Sequence, residues 1–317
     1  MAGTASKLTV VGAGAVGSTT AYAALLRGVA QTVALYDLNA AKVEAEVEDL
    51  RHGLQFVPPA EVIGSDDLAV VADSDVVVVT AGSKQRPGQT RLDLAESTVR
   101  VTRDLMPRLV DVAPRATYLM VTNPVDVITY VALACSGLPR HQLFGSGTVL
   151  DSSRLRTLLA RAAGVAPVHV HAYVVGEHGD TEFPLWSNAS IGGVDVGAWT
   201  GVDGGGGFTD EFRANIAREV RDAAYTVIAG KGATNYAIGL TAISIVEALL
   251  RDERRVLPVS SRIDGYLGIE DVCLSVPCLV DARGCGSPVP MQLSDDELTR
   301  LRDSADAVRA VVRRVGF

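Results

Sequence analysis

The sequence predicts an α/β fold: an N-terminal doubly wound parallel sheet followed by a second domain of α+β character. Three observations predict it. Short β-branched runs alternate with longer helical stretches through the first half, the pattern of parallel strands joined by right-handed helical crossovers. Val76-Val77-Val78-Val79 is apolar without alternation, as expected of a central strand covered on both faces. Gly12, Gly14 and Gly17 fall between the first strand and the first helix, where the chain must turn tightly.

The elements follow in order. Strands are expected over residues 8–11, 32–36, 75–81 and 117–122, with helices over 14–27, 40–55 and 97–113. The second half is less regular. It predicts a helix over 152–163, a strand over 168–175, a glycine-rich surface turn over 201–207, helices over 208–229 and 235–250, and strands near 256–259 and 272–280. The last helix has the best-marked start. Ser294 and Glu297 form an S-x-x-E capping box, and Leu298, Leu301, Ala305, Val308, Val312 and Val315 then recur on one face. There is no internal repeat and no low-complexity linker, so two domains, 1–145 and 146–317, are expected to meet without a flexible connector.

Composition excludes several classes. The chain has 317 residues, long enough to bury a large core, and 29 Lys and Arg against 37 Asp and Glu leave a net charge of −8. That balance argues against nucleic acid, whose phosphates need clustered Lys and Arg. Residues 8–26 form an uncharged run of 19, long enough for a membrane span or a signal-peptide core. The glycines at 12, 14 and 17 and Ser18, Thr19 and Thr20 make it instead a buried strand, a turn and a small-residue helix. Cys135, Cys273, Cys278 and Cys285 show no metal-ligand or C-x-x-C spacing and read as buried thiols of a reducing compartment. No metal, no membrane and a cytoplasmic location are the expectations.

Gly12-Ala13-Gly14-Ala15-Val16-Gly17 is a G-x-G-x-x-G that follows a strand and opens a helix. Its first glycine permits the turn, its second lets backbone approach a pyrophosphate, and its third lets helix pack on strand; the helix N-terminus offers free N–H groups to phosphate. Such glycines alone can be purely structural, but the context is met. Asp37 stands twenty residues after Gly17, at the end of the second strand, where an acid accepts hydrogen bonds from both ribose hydroxyls. It would repel a 2′-phosphate, and Leu38 and Asn39 supply no compensating Arg, so NAD is expected rather than NADP.

Further motifs come in a fixed order. They are Thr80-Ala81-Gly82, Gln85 with Arg91 six residues on, Thr122-Asn123-Pro124-Val125-Asp126, Leu150-Asp151-Ser152-Ser153-Arg154 and Gly176-Glu177-His178-Gly179-Asp180. Together they resemble the L-lactate/malate dehydrogenase family, from Lys7 to the C-terminal helix. The resemblance implies a Rossmann domain followed by an α+β substrate domain, and hydride transfer between nicotinamide C4 and C2 of a 2-hydroxy acid. It further implies cofactor contacts at Gly12, Gly14, Val16, Gly17, Asp37, Lys42, Gly82, Ser83, Val121, Thr122, Asn123 and Ser146. Leu68 and Asp104 depart from the family near the adenine end.

The chemistry fits the residue types. Oxidising a secondary alcohol needs a base for its proton and the reverse needs an acid, and a histidine serves both near neutral pH. His178 is presented by a glycine-flanked turn beyond a strand; His52, His141 and His169 read as structural. The resemblance supplies Asp151 as the carboxylate that orients its imidazole. Asp151 and Arg154 lie three apart at a helix start, so both face one way, and Arg154 can clamp the substrate carboxylate bidentately. By resemblance Asn123, before a cis Pro124, and Thr234 line the substrate pocket, and residues 83–94 form a lid whose Arg91 polarises the substrate carbonyl on closure.

Members acting on malate place Arg where Gln85 stands, and members acting on lactate place Gln. A neutral amide does not compensate a buried second carboxylate, so pyruvate and lactate are expected, as in fermentative glycolysis. The alternatives are malate and the larger acids of L-2-hydroxyisocaproate-type dehydrogenases. Arg156 lies two residues beyond Arg154, about 200° around a helix, and so faces away from substrate. His171 lies seven residues before His178. Taken alone these are a solvated Arg and a strand His. Family members that respond to fructose 1,6-bisphosphate carry Arg and His at these positions, and with six residues before Lys7 the chain lacks the N-terminal arm of vertebrate relatives. The resemblance therefore implies a fructose 1,6-bisphosphate effector site and a homotetramer.

Overall fold

The computed structural model describes residues 6–83, 91–202 and 206–317. Six parallel strands occupy the first half: β1 (Lys7–Val11), β2 (Thr32–Tyr36), β3 (Glu61–Ser65), β4 (Val76–Val79), β5 (Thr117–Met120) and β6 (Leu143–Gly145). Their spatial order is β6-β5-β4-β1-β2-β3, so the winding reverses between β1 and β4. Helices α1 (Ala15–Arg27), α2 (Ala40–His52), α3 (Arg91–Val112) and α4 (Val125–Ser136) make the crossovers. The expected strand of four valines is β4, buried along its whole length between β1 and β5.

Three first-half elements escape the pattern reading. Strand β3 lies on the sheet edge and begins at an exposed Glu61, and β6 is only three residues long. Helix α4 is buried over most of its surface, so its sequence, VDVITYVALACS, shows no polar face to mark a period.

The second half begins with α5 (Val149–Ala163). The single strand expected over 168–175 is instead a short 3-10 turn at Pro167–His169 and two separate strands, β7 (Val170–His171) and β8 (Val174–Val175). They separate because they answer to different partners. β8 pairs with β9 (Phe183–Pro184), and β7 pairs with β10 (Ser190–Ile191), which also carries β11 (Val194–Asp195). Then come α6 (Asp210–Lys231), α7 (Tyr236–Leu250), the long hairpin β12 (Arg255–Tyr266) and β13 (Ile269–Asp281), β14 (Gly284–Pro288) and α8 (Asp295–Arg314). Of the glycine-rich turn expected over 201–207, residues 203–205 lie outside the described set, and 206 and 207 are irregular backbone leading towards α6.

The two halves share a sheet. β12 joins the parallel strands antiparallel to β6 through Ser260 and Gly145, extending the order to β14-β13-β12-β6-β5-β4-β1-β2-β3. The main apolar core accordingly runs from Leu8 to Val312, while a smaller one around Leu155, Leu159, Ile191 and Ile216 lies under α5 and α6. Helix α7 braces α1. Gly239 brings them close, since a β-carbon there would stand 2.8 Å from Thr19 Cγ2, and buried Glu247 accepts two hydrogen bonds from Arg27. At the start of α8 the capping box is complete, with Ser294 Oγ accepting from the Glu297 amide and Glu297 from the Ser294 amide. Leu301, Ala305, Val308 and Val312 form its buried face.

Candidate active site

A cleft of about 870 Å³ opens at the carboxyl ends of β1, β2, β4 and β5, where the strand order reverses. Gly12 turns with φ +103°, and its amide donates to Tyr36 O at 2.7 Å. A β-carbon on Gly17 would stand 1.8 Å from Gly12 O, so only glycine lets α1 cross β1 here. No side chain caps α1, and its first turn has no acid, which leaves N–H groups facing the cleft as an anion site. Asp37 is held at the tip of β2 by the Ala13 amide at 2.8 Å and the Asn39 amide at 3.0 Å.

Of the remaining expected cofactor contacts, Val16, Lys42, Gly82, Ser83, Val121, Thr122 and Asn123 line this cleft, with Gly14 and Thr234. Asp104 lines it too, whereas Leu68 packs against the core. Ser146 is buried, its amide on Met120 O at 2.8 Å. The open helix terminus, the glycine crossing and the carboxylate at the tip of β2 fit a dinucleotide.

His178 and Asp151 meet outside the lining of this cleft, next to α4, whose Asp126 takes the His178 amide while Asn123 just before the helix lines the cleft. Asp151 lies in the first turn of α5 and is 1% exposed. Its Oδ2 lies 2.7 Å from His178 Nδ1, and its Oδ1 accepts from Arg154 Nη1 at 2.6 Å. The start of α5 is fastened to β8 on either side of Asp151. Thr148 Oγ1 donates to Val174 O at 2.5 Å, and Ser152 Oγ accepts from the Val174 amide at 2.8 Å. The bond at Nδ1 leaves Nε2 for proton exchange. The Asn123–Pro124 bond is cis, as the resemblance implied.

Electrostatics follow from this packing. Burial by itself would lower the His178 pKa, but Asp151 and then Glu182 outweigh it and hold the pKa well above the usual imidazole value. Burial would raise that of Asp151, but His178 and Arg154 hold it below the ordinary carboxylate range. Glu182 is a residue the sequence reading passed over. Its Oε2 is 3.7 Å from His178 Nδ1, and burial pushes its carboxyl up to about 7. Its one sequence signal is a carboxylate four residues after the histidine, leading into apolar Phe183-Pro184-Leu185. Asp151, His178 and Glu182 offer ligand atoms within 4.8 Å of one another, but those of Asp151 are already bonded to His178 and Arg154.

Other expected residues are only partly placed. Arg91 opens α3, but its side chain is outside the described residues, as are Gln85 and residues 84–90. Arg156 points away from Arg154. Its Nε donates to Ala172 O at 2.8 Å, and its guanidinium lies 5.1 Å from the Tyr173 ring centre. It therefore sits beside the chain that carries exposed His171. His52, His141 and His169 are exposed and lie outside this cluster.

Residues 6–145 match the family model described as lactate/malate dehydrogenase, NAD binding domain, and residues 148–315 match the alpha/beta C-terminal domain of that family. The chain is 50% identical over 312 residues to an L-lactate dehydrogenase of Bifidobacterium animalis subsp. lactis, covering 98% of each chain. It is 46% identical to one of Synechococcus sp., covering 96% of this chain and 98% of that one. The minor L-lactate dehydrogenase of Enterococcus mundtii, solved in a ligands-bound form, is similar at a TM-score of 0.94 and 35% identity, with 98% of each chain covered.

Two outcomes are expected. Gly17→Ala forces its β-carbon onto Gly12 O, costing about 1–3 kcal/mol. Calorimetric titration should find NADH binding at least about tenfold weaker, alongside a lower Tm. In Asp151→Asn the His178 pKa, followed by NMR of the imidazole, should fall by at least about one unit, equivalent to about 1.4 kcal/mol. The sign follows from the raised pKa: the native pair stabilises the fold below the unfolded histidine pKa and loses that contribution as pH rises through the folded one.

Proposed function

The chain belongs to the lactate/malate dehydrogenase family, and from that membership we propose that it is an NAD-dependent L-lactate dehydrogenase, reversibly reducing pyruvate to (S)-lactate. The observation that carries the reaction is the Asp151 carboxylate shared between His178 and Arg154. NADH, when bound, supplies the hydride. His178 gives its proton to the carbonyl oxygen of pyruvate and takes it back in lactate oxidation. Asp151 stabilises the imidazolium and holds the tautomer with its proton on Nδ1. Arg154 spends one N–H on Asp151 and keeps the rest of its fork for the substrate carboxylate. Asn123 and Thr234 border the substrate from the cleft side. Arg91, on the lid, polarises the carbonyl once water is expelled. In this reading residues 1–145 bind cofactor and residues 146–317 bind substrate.

Gln85 selects pyruvate over oxaloacetate, because an uncharged amide leaves a second substrate carboxylate unpaired. The same names on the relatives support this choice. The protein then acts at the end of fermentative glycolysis in the cytoplasm. Its four unpaired cysteines suit a reducing compartment, and among the described residues no helix is long and apolar enough to cross a membrane.

Arg156 and His171 form the fructose 1,6-bisphosphate site of a homotetramer in this reading. What supports it is the Arg156 guanidinium held on the segment next to exposed His171, away from substrate. A phosphate bridging two subunits would add charge-assisted bonds only in the assembled state.

NADH consumption with pyruvate and with oxaloacetate tests the assignment. Gln85→Arg should move the ratio of kcat/KM towards oxaloacetate by at least about tenfold, equivalent to about 1.4 kcal/mol. Fructose 1,6-bisphosphate should lower the pyruvate KM, and Arg156→Gln with His171→Gln should abolish that response. Superimposable saturation curves, at dilutions where dimers and tetramers exchange, would remove the effector site.

A further inference from the structure

Asp126 has no role in the chemistry above, yet it is 2% exposed and bonded in three directions. It occupies the second position of α4, three residues after Asn123. Its Oδ2 accepts the backbone amide of His178 at 2.7 Å. Its Oδ1 accepts Ser260 Oγ of β12 at 2.6 Å and Ser275 Oγ of β13 at 3.3 Å. The catalytic turn needs such a grip, because Gly176 and Gly179 flank it and Gly176 lies at φ +97°. Three successive amides are held by three different elements. Gly176 pairs with the Ser275 backbone, Glu177 donates to Ser304 Oγ of α8 at 2.7 Å, and His178 donates to Asp126.

We propose that Asp126 is the positioning residue of the proton donor: it fixes the His178 backbone so that Nδ1 stays on Asp151 while Nε2 faces substrate. Asn123, just before the start of α4, lines the cofactor cleft, and Asp126 in the first turn of α4 holds the catalytic turn, so this one segment sets the hydride side and the proton side in register. Burial pushes the Asp126 carboxyl up to about 6 against the pull of its Ser260 and His178 bonds, so near neutral pH it remains an anionic acceptor, the stronger kind for a backbone N–H. Asn does the same work with a neutral carbonyl, whereas Ala leaves the buried amide unpaired.

The inference rests on His178 being the proton donor, and the test separates the two. In the full-length enzyme, Asp126→Ala is expected to lower kcat for pyruvate reduction by at least about 100-fold with NADH Kd within about threefold of wild type. Asp126→Asn should recover to within about tenfold of wild type. In a His178→Asn background, Asp126→Ala should change the residual rate by less than about threefold, since no donor remains to be misplaced. Asp126→Ala retaining more than about a third of kcat overturns the proposal, as does an equal loss in both backgrounds or a folded Asp126→Asn as slow as the Ala variant. Where Asp126→Ala does not fold, Ser260→Ala with Ser275→Ala frees the carboxylate from its anchors. At least about a tenfold loss in kcat at unchanged NADH affinity is then expected, and a loss under about threefold overturns the proposal. If His178→Asn alone keeps more than about a tenth of turnover, it is the donor assignment that fails.

Discussion

The buried carboxylate of Asp151 is the charge around which the rest of the site is arranged. Left alone in that environment it would be unstable, because desolvating an unpaired charge costs several kcal/mol. Two cationic groups make it tolerable, His178 on one oxygen and Arg154 on the other. The relation is reciprocal. The carboxylate keeps the imidazole protonated against its own burial, and it holds the guanidinium fork beside the ring. Imidazole, carboxylate and guanidinium thus form one electrostatic unit, and removing one partner of such a buried pair typically costs about 3–5 kcal/mol. Glu182 shows the limit of that environment. A further carboxylate beside Asp151 is driven towards its neutral form rather than adding a second full charge.

Holding that unit in place determines how the second half of the chain is built. The first turn of α5 must meet a turn that begins more than twenty residues later, and Thr148 and Ser152 bind both polar backbone groups of Val174 to bring them together. The turn itself is gripped from α4, β13 and α8, elements that lie on both sides of it in the sequence. Continuity of the sheet through Ser260 and Gly145 makes this possible, because it sets β12 and β13 against α4. On the cofactor side the Glu247–Arg27 pair and the close contact at Gly239 brace α7 on α1, which carries Thr234 to the cleft wall.

Much of this was legible in the sequence where the physics is local. The glycine turn was readable because Gly12 adopts a φ that other residues avoid and Gly17 leaves no room for a β-carbon. The capping box was readable because its two bonds close within four residues. Asp151 and Arg154 were readable as a pair because helical spacing alone puts them on one face. Elements whose identity depends on distant partners were not. Helix α4 hides its period because it is covered nearly all round, and residues 168–175 read as one strand because the sequence does not reveal that its ends belong to different sheets.

Composition, strand and helix alternation, the dinucleotide turn and the ordered motifs determined the class of fold and the cofactor, since each is written in contacts between near neighbours or in residue type. Tertiary structure alone decided that Asp126 grips the His178 amide, that Glu182 stands beside the imidazole, and that Arg156 is pinned to the Ala172 carbonyl. These are contacts over 52, 4 and 16 residues. The shortest is as hidden as the longest, because what a carboxylate does beside a histidine depends on burial, and burial is created only when the whole chain has closed around it.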